Sequence, residues 1–155
     1  MKYYSFLVFI LLVLSFQACQ KEPLARQPKA LAITEIVLLS YPSTKSNGNS
    51  WDLSTGPDIF IALNEGTTLS SASRVTGLAN NATRASYTFP LSSPITINSI
   101  HSNWSIGAYD ADDFDPDDYM GGVYFKPSDY QDGLPESILL TTTEVQIRLQ
   151  ITWNF

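Results

Sequence analysis

Six carboxylates crowd into nine residues of this chain: Asp110, Asp112, Asp113, Asp115, Asp117 and Asp118, inside the run YDADDFDPDDYMGG at 109–122. Like charges at this density repel one another and resist burial, so the stretch reads as a loop too charged to pack inside anything. Its flanks agree, because residues 104–109 (WSIGAY) and 120–125 (MGGVYF) alternate as half-buried strands do. An acidic loop between two strands supports two readings. It is a solvated turn that adds solubility, or it is a cage for a hard cation such as Ca²⁺, which takes roughly six to eight oxygen ligands.

A second segment, residues 51–63 (WDLSTGPDIFIAL), narrows the choice. Together the two segments resemble the calcium loops of C2 domains. In that family the first loop carries an Asp and, six residues on, a second Asp that opens a strand; here these are Asp52 and Asp58, followed by Ile59, Phe60 and Ile61. The family's usual Pro-Tyr after the second Asp is absent. The third loop carries Asp-x-Asp at a strand end, then an Asp six residues later followed by two apolar residues and Gly. Here these are Asp110, Asp112 and Asp118, followed by Tyr119, Met120 and Gly121. An EF-hand does not fit, since its sixth and twelfth loop positions, Gly and Glu, are Asp115 and Gly121 when counted from Asp110.

The resemblance covers about residues 31–155, with the two loops as its strong part. It implies that Asp52, Asp58, Asp110, Asp112 and Asp118 ligate Ca²⁺, helped by backbone carbonyls near Leu53, Asp113 and Phe114. Two Ca²⁺ ions would offset four of these five charges, which cannot all stay ionised side by side without a cation. Asp113, Asp115 and Asp117 would set the surrounding field. The resemblance also implies that the apolar tips Leu53 and Phe114, with Trp51 beside them, dip into a phospholipid surface or face a protein or glycan partner. Ordinary loop packing is the competing reading for these three. The basic neighbours that read anionic headgroups are missing, and a net charge of −6 disfavours an anionic leaflet.

The elements that must position the loops are strands. Residues 31–41 place Leu31, Ile33, Val37, Leu39 and Tyr41 on one face, with Glu35 interrupting. Pro42 ends that strand and opens a Ser/Asn/Gly loop up to Trp51. Residues 58–63 form the next strand, 69–78 a short irregular one, and 84–91 another with Ala85, Tyr87, Phe89 and Leu91 inward. Residues 95–100 are a short strand or connection, and 137–140 a short strand. The last strand is the clearest: Val145, Ile147, Leu149, Ile151, Trp153 and Phe155 face one way, with polar residues between them. No helical period or repeat follows the leader. The fold expected is all-β, an antiparallel Greek-key β-sandwich of about eight strands, C2-like, with the strand order of the permuted C2 topology.

Residues 1–18 read as a signal peptide, with Lys2 as the n-region and an apolar h-region at 6–14 that is short for a bilayer span. The only cysteine, Cys19, follows Ala18, which resembles a bacterial lipoprotein signal in which Cys19 is lipidated. An ordinary secretory signal with an incidental Cys is the alternative. Residues 19–30, with Pro23 and Pro28, form a tether, and Gln20 resembles outer-membrane sorting. The chain is therefore expected to be a bacterial outer-membrane lipoprotein, periplasmic or surface-exposed, whose residues 31–155 form one domain. One Cys leaves no internal disulfide.

Catalysis and nucleic-acid binding find no support. His101 is the only histidine, and its surroundings offer no nucleophile–base pair; there is neither a phosphate loop nor a basic patch. Three non-enzymatic readings follow. The first is a calcium-binding C2-like module docking to membrane or partner. The second is a carbohydrate-binding module with structural calcium, in which Trp51, Trp104 or tyrosines stack on sugar rings. The third is a metal-free cell-surface interaction domain.

Overall fold

The strict alternation near the C-terminus becomes β7 (Gln146–Asn154), whose Ile147, Leu149, Ile151 and Trp153 are buried while the residues between them face out. Phe155, expected inward, lies just past the strand and is exposed. The computed structural model describes residues 26–52, 55–83, 86–113 and 115–155. The leader and Cys19 lie outside the described residues. Six further strands precede β7: β1 (Ala30–Ser40), β2 (Ile59–Glu65), β3 (Tyr87–Ile97), β4 (Trp104–Asp110), β5 (Asp118–Phe125) and β6 (Ser137–Thr141). They form two antiparallel sheets, one in the order β3-β1-β7-β6 and one in the order β2-β4-β5. Among the described residues this makes seven strands, where about eight were expected.

One core fills the space between the sheets. Leu31, Ile33, Ile36 and Leu38 of β1 meet Ile59 and Ile61 of β2 and Ile106 and Ala108 of β4 in a single apolar cluster. In β1 the alternation does not run as the sequence suggests. The pairing with both neighbours slips between Ile33 and Glu35: against β7 the extra residue lies in β1 and turns the strand over, and against β3 the extra residues lie in β3. Beyond that bulge the core-facing set becomes Ile36 and Leu38, while Leu39 is only half-buried. A β-bulge leaves no mark in a hydrophobic pattern that is apolar on both sides of it, as here.

Two other departures share a cause in edge geometry. Residues 84–91 and 95–100 were read as separate elements, but β3 is one strand running through Pro90 and Pro94. It lies at the edge of its sheet, where a proline costs no ladder hydrogen bond. Its Phe89 and Ile97 are buried, and Tyr87 and Leu91 half-buried. Residues 69–78 are not a strand; they form a short 3-10 turn at Ser71–Ser73 and then touch β2 through isolated bridges at Arg74 and Ala79. At this edge the Ile61 amide donates to the Thr76 hydroxyl (2.9 Å) in place of a backbone carbonyl.

Candidate functional site

The acidic end of the molecule is built by one bulge. Across β4 and β5, Ala108 pairs with Gly121 but Tyr109 pairs with Tyr119, so Met120 is the extra residue. Gly121 has φ +144°, and a Cβ there would lie 2.7 Å from Val145 Cγ1 and 2.8 Å from Glu144 Cβ. Only glycine accepts both that backbone and that approach. The slip places Asp118 directly opposite Asp110, and Asp110 in turn opposite Ile59. Directly paired residues point to the same face of a sheet. β5 therefore starts at Asp118, two residues before the strand expected from sequence.

Asp110 corrects the expectation that this stretch is too charged to be inside. In β4 the core side carries Ile106 and Ala108, and period-two alternation makes Asp110 the next inward residue. It is fully buried, with a relative exposure of 0%. Its Oδ1 accepts the Asp58 amide at 2.6 Å, whereas its Oδ2 is buried with no hydrogen-bond partner. Burial pushes its pKa up to about 6, the Asp58 amide opposing, and the charges of Asp52 and Asp112 add to the rise. A buried carboxylate oxygen without a donor is costly unless a cation or proton takes it.

The other four carboxylates arrive around it. Asp58 precedes β2, and its Oδ1 accepts the Asn81 amide at 2.6 Å, which ties the 66–86 connection to the site. Gly56 allows that closeness, since a Cβ there would collide with the Ala82 carbonyl oxygen at 2.1 Å. Asp52 Oδ2 accepts the Thr55 hydroxyl at 3.1 Å. Asp112 has its pKa raised by burial and by the Asp118 charge. Asp118 is held by Lys45, whose ammonium forms an ion pair with Asp118 Oδ2. Among the described residues, no three His, Cys, Asp or Glu side chains are grouped so as to hold a metal ion as they stand. The five Asp are brought to one end of the sandwich, but partners of their own hold Asp58, Asp52 and Asp118.

These residues fit a hard cation. The donors are all oxygen, the charge is in excess, and Asp110 Oδ2 is buried without a partner.

Lys45 is the residue that sequence reasoning missed. It sits in the 41–58 loop, where its amide donates to the Asn49 carbonyl (2.9 Å) and its own carbonyl accepts the Gly48 amide (2.9 Å), closing a tight turn. Its Nζ also lies 5.9 Å from the centre of the Trp51 ring. The Asp118 hydrogen bond raises its pKa, opposed by burial and reinforced by the charges of Asp118, Asp112 and Asp110. One signal was legible: Lys45 is the only Lys or Arg in residues 30–73.

Trp51, expected beside the tips, is instead buried in the core with its indole donating to the Pro42 carbonyl at 2.8 Å. Its large ring gains more from the core than from solvent, as ordinary loop packing requires. Trp104 likewise packs partly against the core and donates to the Ser99 carbonyl at 3.3 Å. Leu53 and Phe114 lie outside the described residues. On the outer face of β2-β4-β5, Phe60 stacks on Tyr109 (5.5 Å, 20°), Tyr109 meets Tyr119 (5.6 Å), and the Arg74 guanidinium lies 5.0 Å over Phe60. Tyr119 and Tyr124 are exposed there.

No protein-family model matches the sequence, and no curated protein matches it significantly. Solved structures do resemble the fold. The BON1 C2B domain superposes with a TM-score of 0.54 at 15% identity, over 87% of this chain and 99% of that one. Another C2 domain gives 0.50 at 13% identity, over 81% and 98%. Human GIVD cytosolic phospholipase A2 in complex with methyl gamma-linolenyl fluorophosphonate gives 0.51 at 16% identity. That match spans 81% of this chain but only 16% of the phospholipase, its C2 part. Two antiparallel sheets, acidic loops at one end and these superpositions agree: the chain has the fold of a C2-like β-sandwich.

Proposed function

We propose that this chain is a non-catalytic, calcium-responsive C2-like module, tethered to a bacterial outer membrane through lipidated Cys19 and docking to membrane or a protein partner when Ca²⁺ orders its loops. One observation carries the reading. Asp110 is fully buried at the junction of two acidic loops, and one of its oxygens has no partner. Asp110, Asp58, Asp112, Asp118 and Asp52 would hold the ion, whose positive charge stabilises the ionised carboxylates. The loops carrying Leu53 and Phe114 would then be drawn together at the tip.

Thermal unfolding in EDTA and in CaCl₂ tests this. Extracellular calcium modules bind at roughly 10⁻⁴–10⁻³ M. With a Kd of about 10⁻³ M, about 10 mM CaCl₂ adds roughly 1.4 kcal/mol, a rise of a few degrees in Tm. Asp110→Asn/Asp112→Asn abolishes the rise. Equal Tm values for the wild type in EDTA and CaCl₂ would sink the calcium reading. Vesicle sedimentation with and without Ca²⁺ then separates membrane docking from a protein partner.

A glycan platform has weaker support, since Trp51 and Trp104 are turned into the protein and, among the described residues considered for it, only Tyr119 and Tyr124 remain exposed.

A further inference from the structure

We propose that Lys45 is a built-in counter-cation of the acidic site, and that Ca²⁺ binds by displacing its ammonium from Asp118. The inference rests on the calcium reading above and concerns how the site is held without the ion.

The geometry gives Lys45 two anchors. Its ammonium pairs with Asp118 Oδ2 and lies over the Trp51 ring at 5.9 Å. Asp118 is the strand partner of Asp110, so the ammonium sits beside the residue whose Oδ2 lacks a donor. A carboxylate oxygen that holds an ammonium is not free to ligate a metal, and two cations on one carboxylate repel. Lys45 therefore competes with Ca²⁺ for the same atom.

The anchor is weak enough to release. The side chains of the pair are 28% and 39% exposed, and exposed pairs of this kind favour the closed state by no more than about fivefold. The tether nonetheless keeps the ammonium at an effective concentration on the order of millimolar, so trace calcium meets a standing competitor. Lys45 has room to swing away from Asp118. Both line a cavity of about 500 Å³, whose wall also includes Asn47, Trp51, Tyr119 and Glu144. Glu144 offers a second carboxylate within that cavity. The competent state is then the fraction with Lys45 withdrawn, and removing the ammonium tightens the apparent Kd by the inverse of that fraction, about two- to sixfold.

The full chain, kept in mild detergent, serves for the test. Calcium affinity is measured by calorimetric titration for the wild type, Lys45→Met and Lys45→Arg. Met keeps the stem and removes the charge, whereas Arg keeps the charge. The expected result is a two- to sixfold tighter Kd for Lys45→Met and a value near wild type for Lys45→Arg. A second readout is acylation of lysine amines followed by peptide mapping. Lys45 should react faster in CaCl₂ than in EDTA, with Lys126 unchanged as the internal control. A Lys45→Met Kd equal to or weaker than that of the wild type overturns the inference and leaves the calcium reading standing. Lys45 reactivity that ignores Ca²⁺ overturns it as well. Calcium binding by Lys45→Met but not by the wild type supports it in its strongest form. No binding by either protein removes the calcium reading and the inference together.

Discussion

Replacing Asp110 with Asn should make the calcium-free protein more stable, although it removes a charged side chain from a hydrogen bond. The reason is the direction of the Asp110 shift. Burial raises its pKa from the ordinary 3.8 to about 6, so the folded state binds this proton more tightly than the unfolded chain does. Stability contributed by this group is therefore greatest at low pH and declines as pH rises from about 4 to about 6. Above that window the folded protein carries an ionised, partly unpartnered carboxylate. Two pH units at about 1.4 kcal/mol each give a penalty of roughly 3 kcal/mol at pH 7. Asn is neutral, so it escapes the penalty. Its carbonyl still accepts the Asp58 amide, at the loss of charge assistance worth about 1 kcal/mol. Its amino group replaces the orphan Oδ2, and the negative charges of Asp52 and Asp112, which oppose a carboxylate there, favour an N–H donor instead. The net gain is about 2 kcal/mol, or roughly 4–10 °C in Tm for a domain of this size. Far-UV circular dichroism melts in EDTA at pH 7 and pH 5 measure it. The gain should be large at pH 7 and shrink at pH 5, where the wild-type Asp110 is mostly protonated. A variant less stable than the wild type at pH 7, or a difference that does not depend on pH, would refute the account of Asp110 as a buried charge awaiting a cation.

The same linkage predicts that calcium binding weakens in acid: with Asp110 near pKa 6, titrations at pH 5 should give a Kd about tenfold weaker than at pH 7, with proton release on binding. Gly121→Ala should lower stability by about 1–3 kcal/mol, because its Cβ meets Val145 and its backbone is left-handed; a melt within a degree of wild type would mean that the bulge is not needed to hold Asp118 opposite Asp110. The bulge in β1 predicts unequal costs on neighbouring apolar residues. Ile36→Ala should cost about 2–5 kcal/mol in urea unfolding, and Leu39→Ala less than about 1.5 kcal/mol; equal losses would restore the uninterrupted alternation.

How much of this could be read from the chain depends on what sets each feature. β7 was legible residue by residue because one of its faces is buried and the other wet, so its pattern is written in side-chain polarity. The phase of β1 was not, because Val37 and Leu39 are as apolar as Ile36 and Leu38; a backbone bulge chose between them. The joining of two predicted pieces into β3 depended on edge position, which sequence does not state. At the site, the Asp spacing located the loops and Gly121 followed Asp118 at the distance that the C2 resemblance expects. The burial of Asp110 was available in principle. It continues the Ile106–Ala108 alternation by one step, but density of charge argued the other way. Trp51 was misplaced because hydrophobic bulk in a loop is equally compatible with a tip and with an inward anchor.

Two opposing arrangements at this site need explaining together. Asp110 is buried and lacks a partner for one oxygen, which raises the free energy of the folded, calcium-free protein. Asp118, its strand partner, is more exposed yet has a lysine attached. A fixed lysine placed deeper, on Asp110 itself, would satisfy the buried charge and leave a divalent ion little to gain. A lysine placed nowhere would leave neighbouring carboxylates repelling one another in a calcium-free fold with no disulfide among the chain's residues, since it has one cysteine. Holding the shallow carboxylate by an exchangeable tether, and leaving the deep one unsatisfied, gives a site that stays folded without calcium and still has a reason to bind it. The pairing of these two carboxylates comes from the Met120–Gly121 bulge. It follows that Gly121→Ala should weaken the calcium-induced rise in Tm by more than its own loss of stability explains, which matched melts of variant and wild type in EDTA and CaCl₂ will measure. An undiminished rise would show that the Asp110–Asp118 pairing is not what the ion senses.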